Sequence, residues 1–221
     1  MATETVENYL KAIRSLSEES PTGEATVTKI AAMVGVTTGT ATTMIKKLVL
    51  TKLAKAERYG GVTLTAKGTK AALDVLRRHR LIETFLVQTL KFDWSEVHEE
   101  AERLEHALSP RLLDRLDEFL GRPILDPHGD PIPDATGNMC GSQALPLSDF
   151  KPSDSATIVR IADQDAAFLR FIAESRLKPG TSVKVFSVNT HADSIEIQPA
   201  GGATITLSLS AAKKVWADRE I

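Results

Sequence analysis

Val6, Tyr9, Leu10, Ile13 and Leu16 recur at helical spacing and place one apolar stripe on an opening amphipathic helix. A second, shorter helix carries Ile30, Ala31 and Val34, with Thr28 placed to cap its start and Gly35 to end it. Thr37 can cap a third. The inward positions of that helix are Ala41, Met44, Ile45, Leu48 and Val49; its other face shows Thr38, Thr40, Thr42, Thr43, Lys46 and Lys47. Two short helices joined by Gly-Val, the second rich in hydroxyls and lysines, read as a helix-turn-helix. Residues 53–57 and 62–65 follow as two short strands around Arg58-Tyr59-Gly60-Gly61, where the glycines allow a tight turn and the pair becomes a wing.

Downstream the period is helical again. KGTKAALDVLRRHRLIETFLVQTL predicts one long helix, and after a turn near 91–94 VHEEAERLEHAL predicts another. GNMCGSQALPLSDFKPSDS, rich in Gly, Ser and Pro, reads as a linker. Beyond it lie strand candidates at 156–162, 182–189, 194–199 and 203–207. Leu169, Ile172 and Ala173 mark a short helix between the first two. Small barrels of the SH3-like kind have this pattern. The fold class is therefore mainly α with a small β domain.

The 221 residues, 42% hydrophobic, suffice for one large domain or two to three small ones with real cores. No apolar run reaches the ~18 residues of a membrane span, and MATETVENYLKAI lacks an apolar signal-peptide core. The single cysteine, Cys140, excludes an internal disulfide and fits a reducing cytoplasm. A net charge of −2 hides an uneven split. Between Ala25 and Lys70 stand Lys29, Lys46, Lys47, Lys52, Lys55, Arg58, Lys67 and Lys70 against Glu57 alone, whereas acidic residues dominate from Glu83 to Glu118. A basic segment joined to an acidic one suggests a nucleic-acid surface followed by a site for cations.

The expected DNA-facing set is Lys29, Thr37, Thr38, Gly39, Thr40, Thr42, Thr43, Lys46 and Lys47, with Arg58 and Tyr59 on the wing. Hydroxyls, ammonium groups and a helix N-terminus suit phosphate contact. Arg, Asn and Gln, the long bidentate base readers, are missing from the third helix, so discrimination would rest on thymine methyls, water and DNA shape. The bland alternative is a winged helix used for protein contact.

The acidic half carries its own chemistry. His79 and Glu83 are four apart on the long helix. On the next, His98, Glu102 and His106 are spaced by fours, with Glu105 beside them. Singly, each reads as an exposed helical charge. Together, three carboxylates and three imidazoles crowded without a cation would raise carboxylate pKa values, and a divalent ion reverses that balance. Imidazole with carboxylate suits first-row metals.

HRLIETFL followed by VHEEAERLEHALS resembles the matching helices of the diphtheria-toxin-repressor family, in particular its manganese-transport-regulator branch. TVENYLKAI, the helix-turn-helix and DPHGDPIP extend the resemblance over nearly the whole chain. It implies a winged helix-turn-helix at 1–72, a helical dimerisation and metal-binding domain at 73–140, a linker at 141–152 and an SH3-like, FeoA-like domain at 153–221. It further implies a primary metal site at Asn8, Glu102, Glu105 and His106. An ancillary site would use His79, Glu83 and His98, with His128 and Asp126 from the exit loop and Asp163, Gln164 or Asp165 as a distal ligand. Glutamate rather than cysteine at Glu102 marks manganese regulators in the family. The expected cofactor is Mn(II), with Fe(II) possible and Co, Ni or Zn in vitro. Asn8 stands where members have methionine or aspartate, and Lys11 where some manganese-specific members have glutamate. The implied protein is a homodimeric repressor of metal-uptake genes on a palindromic operator, in which metal pins a loosely attached first helix.

Two rivals remain. A His/Glu metal site could activate water, but the chain has no HExxH motif and no Gly-rich substrate loop. A winged-helix regulator could instead sense an organic ligand or redox state, the latter weakened by the lack of a second cysteine.

Overall fold

The structure is a computed structural model that describes residues 3–57 and 60–220. It divides into two compact units.

The first unit holds the chain up to Arg78, with Glu105–Ala107 and Pro133–Asn138. It contains α1 (Glu4–Glu19), α2 (Val27–Met33), α3 (Thr38–Leu50), β1 (Ala54–Ala56), β2 (Val62–Leu64) and the start of α4 (Ala66–Gln88). The apolar stripe of α1 is buried along its length, and Leu10 and Ile13 join Ile30 and Leu48 in the centre of the core. Thr37 caps α3 by accepting from Thr40 N at 3.2 Å. Thr26 caps α2 by accepting from Lys29 N, so the cap falls two residues before Thr28, which lies within the helix. Val49 is exposed and leaves the inward face of α3 to Ala41, Ile45 and Leu48, with Met44 partly buried against the same core. β1 and β2 form the antiparallel wing, and Ala25 bridges to Val62 on its other side. Arg58 and Tyr59 lie outside the described residues.

The second unit holds His79–Leu104, Leu108–Ile132 and Met139–Ile221. It contains the rest of α4, then α5 (Val97–Leu104), α6 (Pro110–Phe119), a loop rich in tight turns, and the C-terminal β domain. α5 is shorter than its periodicity predicts. It ends at Leu104, and Glu105 and His106 stand on the turn beyond it. Ser109 and Pro110 set the far limit of any extension. The proline ring pushes Ser109 into extended backbone, and the Ser109 hydroxyl then caps α6 from Leu112 N, so one continuous helix cannot form.

The β domain is one six-stranded antiparallel sheet in the order β3-β8-β4-β5-β6-β7. Its members are β3 (Leu145–Pro146), β4 (Ser155–Ile161), β5 (Ser182–Asn189), β6 (Ser194–Pro199), β7 (Ile205–Ser208) and β8 (Val215–Arg219), with α7 (Ala166–Glu174) and α8 (Leu209–Ala212). Residues that read as linker belong to this domain: β3 pairs with β8, and Leu147 and Phe150 are buried in the core. β4 is bulged between Ile158 and Arg160, and the loop after α6 docks there. Ile161 N donates to His128 O at 2.9 Å, and a Cβ on Gly129 (φ +87°) would fall 1.9 Å from Val159 O. Only glycine fits that approach.

Candidate metal centre

Three stretches of the second unit bring six potential ligands together. α4 supplies His79 and Glu83, one turn apart; α5 supplies His98 and Glu102, also one turn apart; the loop after α6 supplies Asp126 and His128. His79 Nε2 lies 2.9 Å from Glu83 Oε1 and 3.0 Å from His98 Nδ1, and His98 Nδ1 lies 3.2 Å from the same Glu83 oxygen. Protons cannot satisfy all three edges of this triangle: if both nitrogens donate to the carboxylate, their hydrogens face each other. Edges of about 3 Å are what ligand atoms share around one cation with bonds of about 2.1 Å. Glu102 Oε1 lies 3.5 Å from His98 Nε2 and 3.9 Å from His79 Nδ1.

The other oxygen of Glu83 completes the fit. Glu83 Oε2 and His128 Nδ1 face each other at 3.9 Å. Both side chains are fully buried, and neither atom has a hydrogen-bond partner among the described residues. His128 Nε2 meets Trp94 O at 2.8 Å and must donate to it, so in the neutral ring Nδ1 would carry the lone pair. Asp126 Oδ1 accepts from His128 N and Asp130 N at 2.8 and 2.9 Å, building the turn; its Oδ2 has no hydrogen-bond donor and faces Arg80 Nε at 3.6 Å. Burial pushes the Asp126 carboxyl well up, and the charges of Asp130 and Glu83 add to it against the pull of Arg80. Burial also pushes Glu83 up, but His79 by charge and hydrogen bond, with His98 and His128, brings it net below the usual carboxylate range. Such a set of buried, convergent and partly orphaned N and O atoms fits a first-row divalent cation.

The first unit holds a second cluster. α1 presents Glu7, Asn8 and Lys11; α4 presents Arg78; the turn after α5 presents Glu105 and His106. Lys11 Nζ lies 2.8 Å from Glu105 Oε1, whose side chain is fully buried. Arg78 Nη2 donates to Glu7 Oε1 at 2.9 Å, and His106 Nδ1 meets Glu7 Oε2 at 2.6 Å. His106 Nε2 faces Glu105 Oε1 at 3.5 Å. Asn8 Oδ1 is buried with no hydrogen-bond partner among the described residues, as an amide oxygen waiting for a hard cation would be.

On α3, Thr37, Thr38, Gly39, Thr40, Thr42, Thr43, Lys46 and Lys47 are all exposed, as is Lys29 on α2. Thr42 and Thr43 donate their hydroxyls to Thr38 O and Gly39 O at 2.7 and 3.1 Å. Their protons are committed to the helix, which leaves the hydroxyl oxygens as acceptors.

The sequence model of the iron-dependent repressor N-terminal DNA-binding domain matches residues 1–62. That of the iron-dependent repressor metal-binding and dimerisation domain matches 65–134, and that of the FeoA domain 145–219. The iron-dependent repressor IdeR of Mycobacterium tuberculosis is 31% identical over 219 residues, covering 92% of this chain and 89% of that protein. The chain belongs to the diphtheria-toxin-repressor family. It is a metal-dependent transcriptional repressor of the MntR-like branch, with the DNA-binding domain present. A solved manganese-dependent transcriptional repressor in complex with manganese has a TM-score of 0.90 and 39% identity, covering 97% of this chain and 100% of that one. The regulator MntR of Bacillus subtilis is 33% identical over 120 residues, 54% of this chain and 82% of that protein.

Against the family pattern, two distal residues are engaged elsewhere. Asp165 Oδ1 caps α7 from Phe168 N at 2.8 Å. Asp163 Oδ1 accepts from Asp165 N at 2.9 Å, and its other oxygen pairs with Lys214. Neither belongs to a close ligand group among the described residues. Conversely, Glu7 and Arg78 were not legible as site residues. Their only local signal was that Glu7 and Lys11 share a face of α1, which reads as an ordinary helical ion pair.

Proposed function

We propose that this repressor takes Mn(II) as its effector, with Fe(II) the alternative, and silences metal-uptake genes when the ion is abundant. The observation that carries the reading is the buried, partnerless pair of Glu83 Oε2 and His128 Nδ1 facing each other at 3.9 Å. His79, Glu83, His98, Asp126 and His128 would form the ancillary site, and Asn8, Glu102, Glu105 and His106 the primary one. Hard oxygens from Glu102, Glu105 and Asn8 favour manganese on ligand chemistry. A bound Mn(II) would supply positive charge opposite Glu83 Oε2, which has no hydrogen-bond partner among the described residues. The remaining work is done by the chain: α1 carries Asn8 beside the helix-turn-helix core, so ordering α1 orders α3 through Leu10, Ile13 and Leu48. We assign no catalytic role.

α6 buries none of its residues, and Leu112 and Phe119 on it are 55% and 67% exposed. An apolar face of that kind on a dimerisation domain suits a second copy of the chain. A two-fold dimer would present two α3 helices about one DNA turn apart, to a palindromic operator. Lys29, the exposed α3 residues and the Arg58-Tyr59 turn would make the contacts.

Metal-by-metal titration of operator binding from a chelator-treated start tests this. Co, Ni and Zn should bind at lower free-ion concentration, as the general affinity order of divalent ions requires, while Mn(II) should give the largest operator binding at saturation. Equal binding by the stripped and loaded protein would end the reading, and salt-independent binding would end the phosphate assignment. Lys46→Ala should weaken binding to every DNA sequence and reduce the log–log salt slope by about one, as expected for a lost phosphate contact.

A further inference from the structure

The geometry points to Glu7 as the positioning residue that holds His106 in the tautomer a metal ligand needs. The inference rests on the reading of His106 as a ligand. Glu7 is 8% exposed, and its two oxygens have different partners. Oε1 accepts from Arg78 Nη2 at 2.9 Å, while Oε2 meets His106 Nδ1 at 2.6 Å. An ionised carboxylate can only accept, so the proton on this contact belongs to Nδ1. In the neutral ring Nε2 then carries the lone pair, on the side where Glu105 Oε1 stands 3.5 Å away. Glu7 thus presents Nε2 to the same space as the buried Glu105 carboxylate.

Arg78 keeps that arrangement from rotating away. Its Nε donates to Asp74 O within α4 at 3.2 Å, so the guanidinium is itself anchored. The order of hold runs from the α4 backbone to Arg78, to the Glu7 carboxylate on α1, to the His106 ring on the turn beyond α5. An outer carboxylate on the far nitrogen of a ligating histidine fixes ring orientation and raises ligand basicity. Glu7 is adjacent in sequence to Asn8, so one turn of α1 would carry both a ligand and the residue that aims another.

The test is Glu7→Gln, which keeps size but changes the donor pattern. Arg78 keeps the amide oxygen, and the amide NH2 then faces His106 Nδ1 and donates to it, forcing the proton onto Nε2. Two-bond proton–nitrogen spectra of the chelator-treated full chain, recorded at alkaline pH, should show His106 as Nδ1–H in the wild type. The resonance is assigned by its loss in His106→Ala. Glu7→Gln should move it toward Nε2–H, and Glu7→Asp, which retains an acceptor, should keep Nδ1–H. By calorimetry Glu7→Gln should bind Mn(II) about 10- to 100-fold more weakly at the sites that His106→Ala removes, and normally at those that His128→Ala removes. A wild-type Nε2–H tautomer overturns the inference. So does an unchanged tautomer or affinity in Glu7→Gln, even with a lowered melting temperature, which would mark a merely structural ion pair. If His106→Ala binds Mn(II) like the wild type, the ligand reading falls and takes this inference with it.

Discussion

His106→Ala is expected to weaken Mn(II) binding at one class of site by more than about 100-fold and to erase metal-stimulated operator binding. Loss of an outer hydrogen-bond partner already costs metal sites about 10- to 100-fold, and this substitution removes a nitrogen donor itself. The stripped protein should keep its fold. His106 stands on the turn beyond α5, outside the apolar core, and Glu7 retains its bond from Arg78 when the imidazole is gone. The stability change should therefore stay near 1 kcal/mol, the scale of one net hydrogen bond. Calorimetry on chelator-treated protein, paired with operator binding at matched salt, reads both effects. A titration superimposable on that of the wild type would remove His106 from the ligand set.

Gly129→Ala should destabilise the second unit by about 3 kcal/mol or more, combining left-handed strain with a backbone collision. The residue sits at φ +87°, and an added methyl would meet Val159 O at 1.9 Å. That neighbour is main chain in the bulge of β4, so neither partner can yield by turning a side chain. Gly121→Ala is the control. Gly121 is also left-handed, at φ +76°, but has nothing within 4 Å of the added carbon, so only strain of about 1 kcal/mol is expected. Urea unfolding of the pair separates collision from strain. Equal losses would mean that the docking of the loop on β4 contributes nothing. Because His128 precedes Gly129 and its carbonyl accepts from Ile161 N, weaker Mn(II) binding should accompany the instability.

Where one element's own residues fix its state, the sequence was readable. The α1 stripe, the Thr37 cap, the long α4 and β4 to β7 follow from local period and capping chemistry. The same logic found His79, Glu83, His98 and Glu102, because i, i+4 pairs stay together wherever the helix goes. The misses are non-local. The period of α5 continues through Glu105 and Leu108, yet the helix ends at Leu104 and a new one starts at Pro110 behind the Ser109 cap. β3 has two residues, too few for alternation to register, and β8 ends in the charged pair Asp218 and Arg219, so pairing with a partner rather than the segment's own period makes each strand. Glu7 meets partners 71 and 99 residues away, which no window along the chain contains.

The pairing of Lys11 with Glu105 also bears on the off state. A chelator can carry away a divalent ion, but it cannot extract an ammonium group tethered to α1 by its own side chain. Part of the compensation opposite Glu105 persists at zero free metal, so an arriving cation must share that carboxylate with the ammonium group or displace it, and gains less attraction there. Such a sensor would respond at higher ion activity than one whose carboxylates all waited bare.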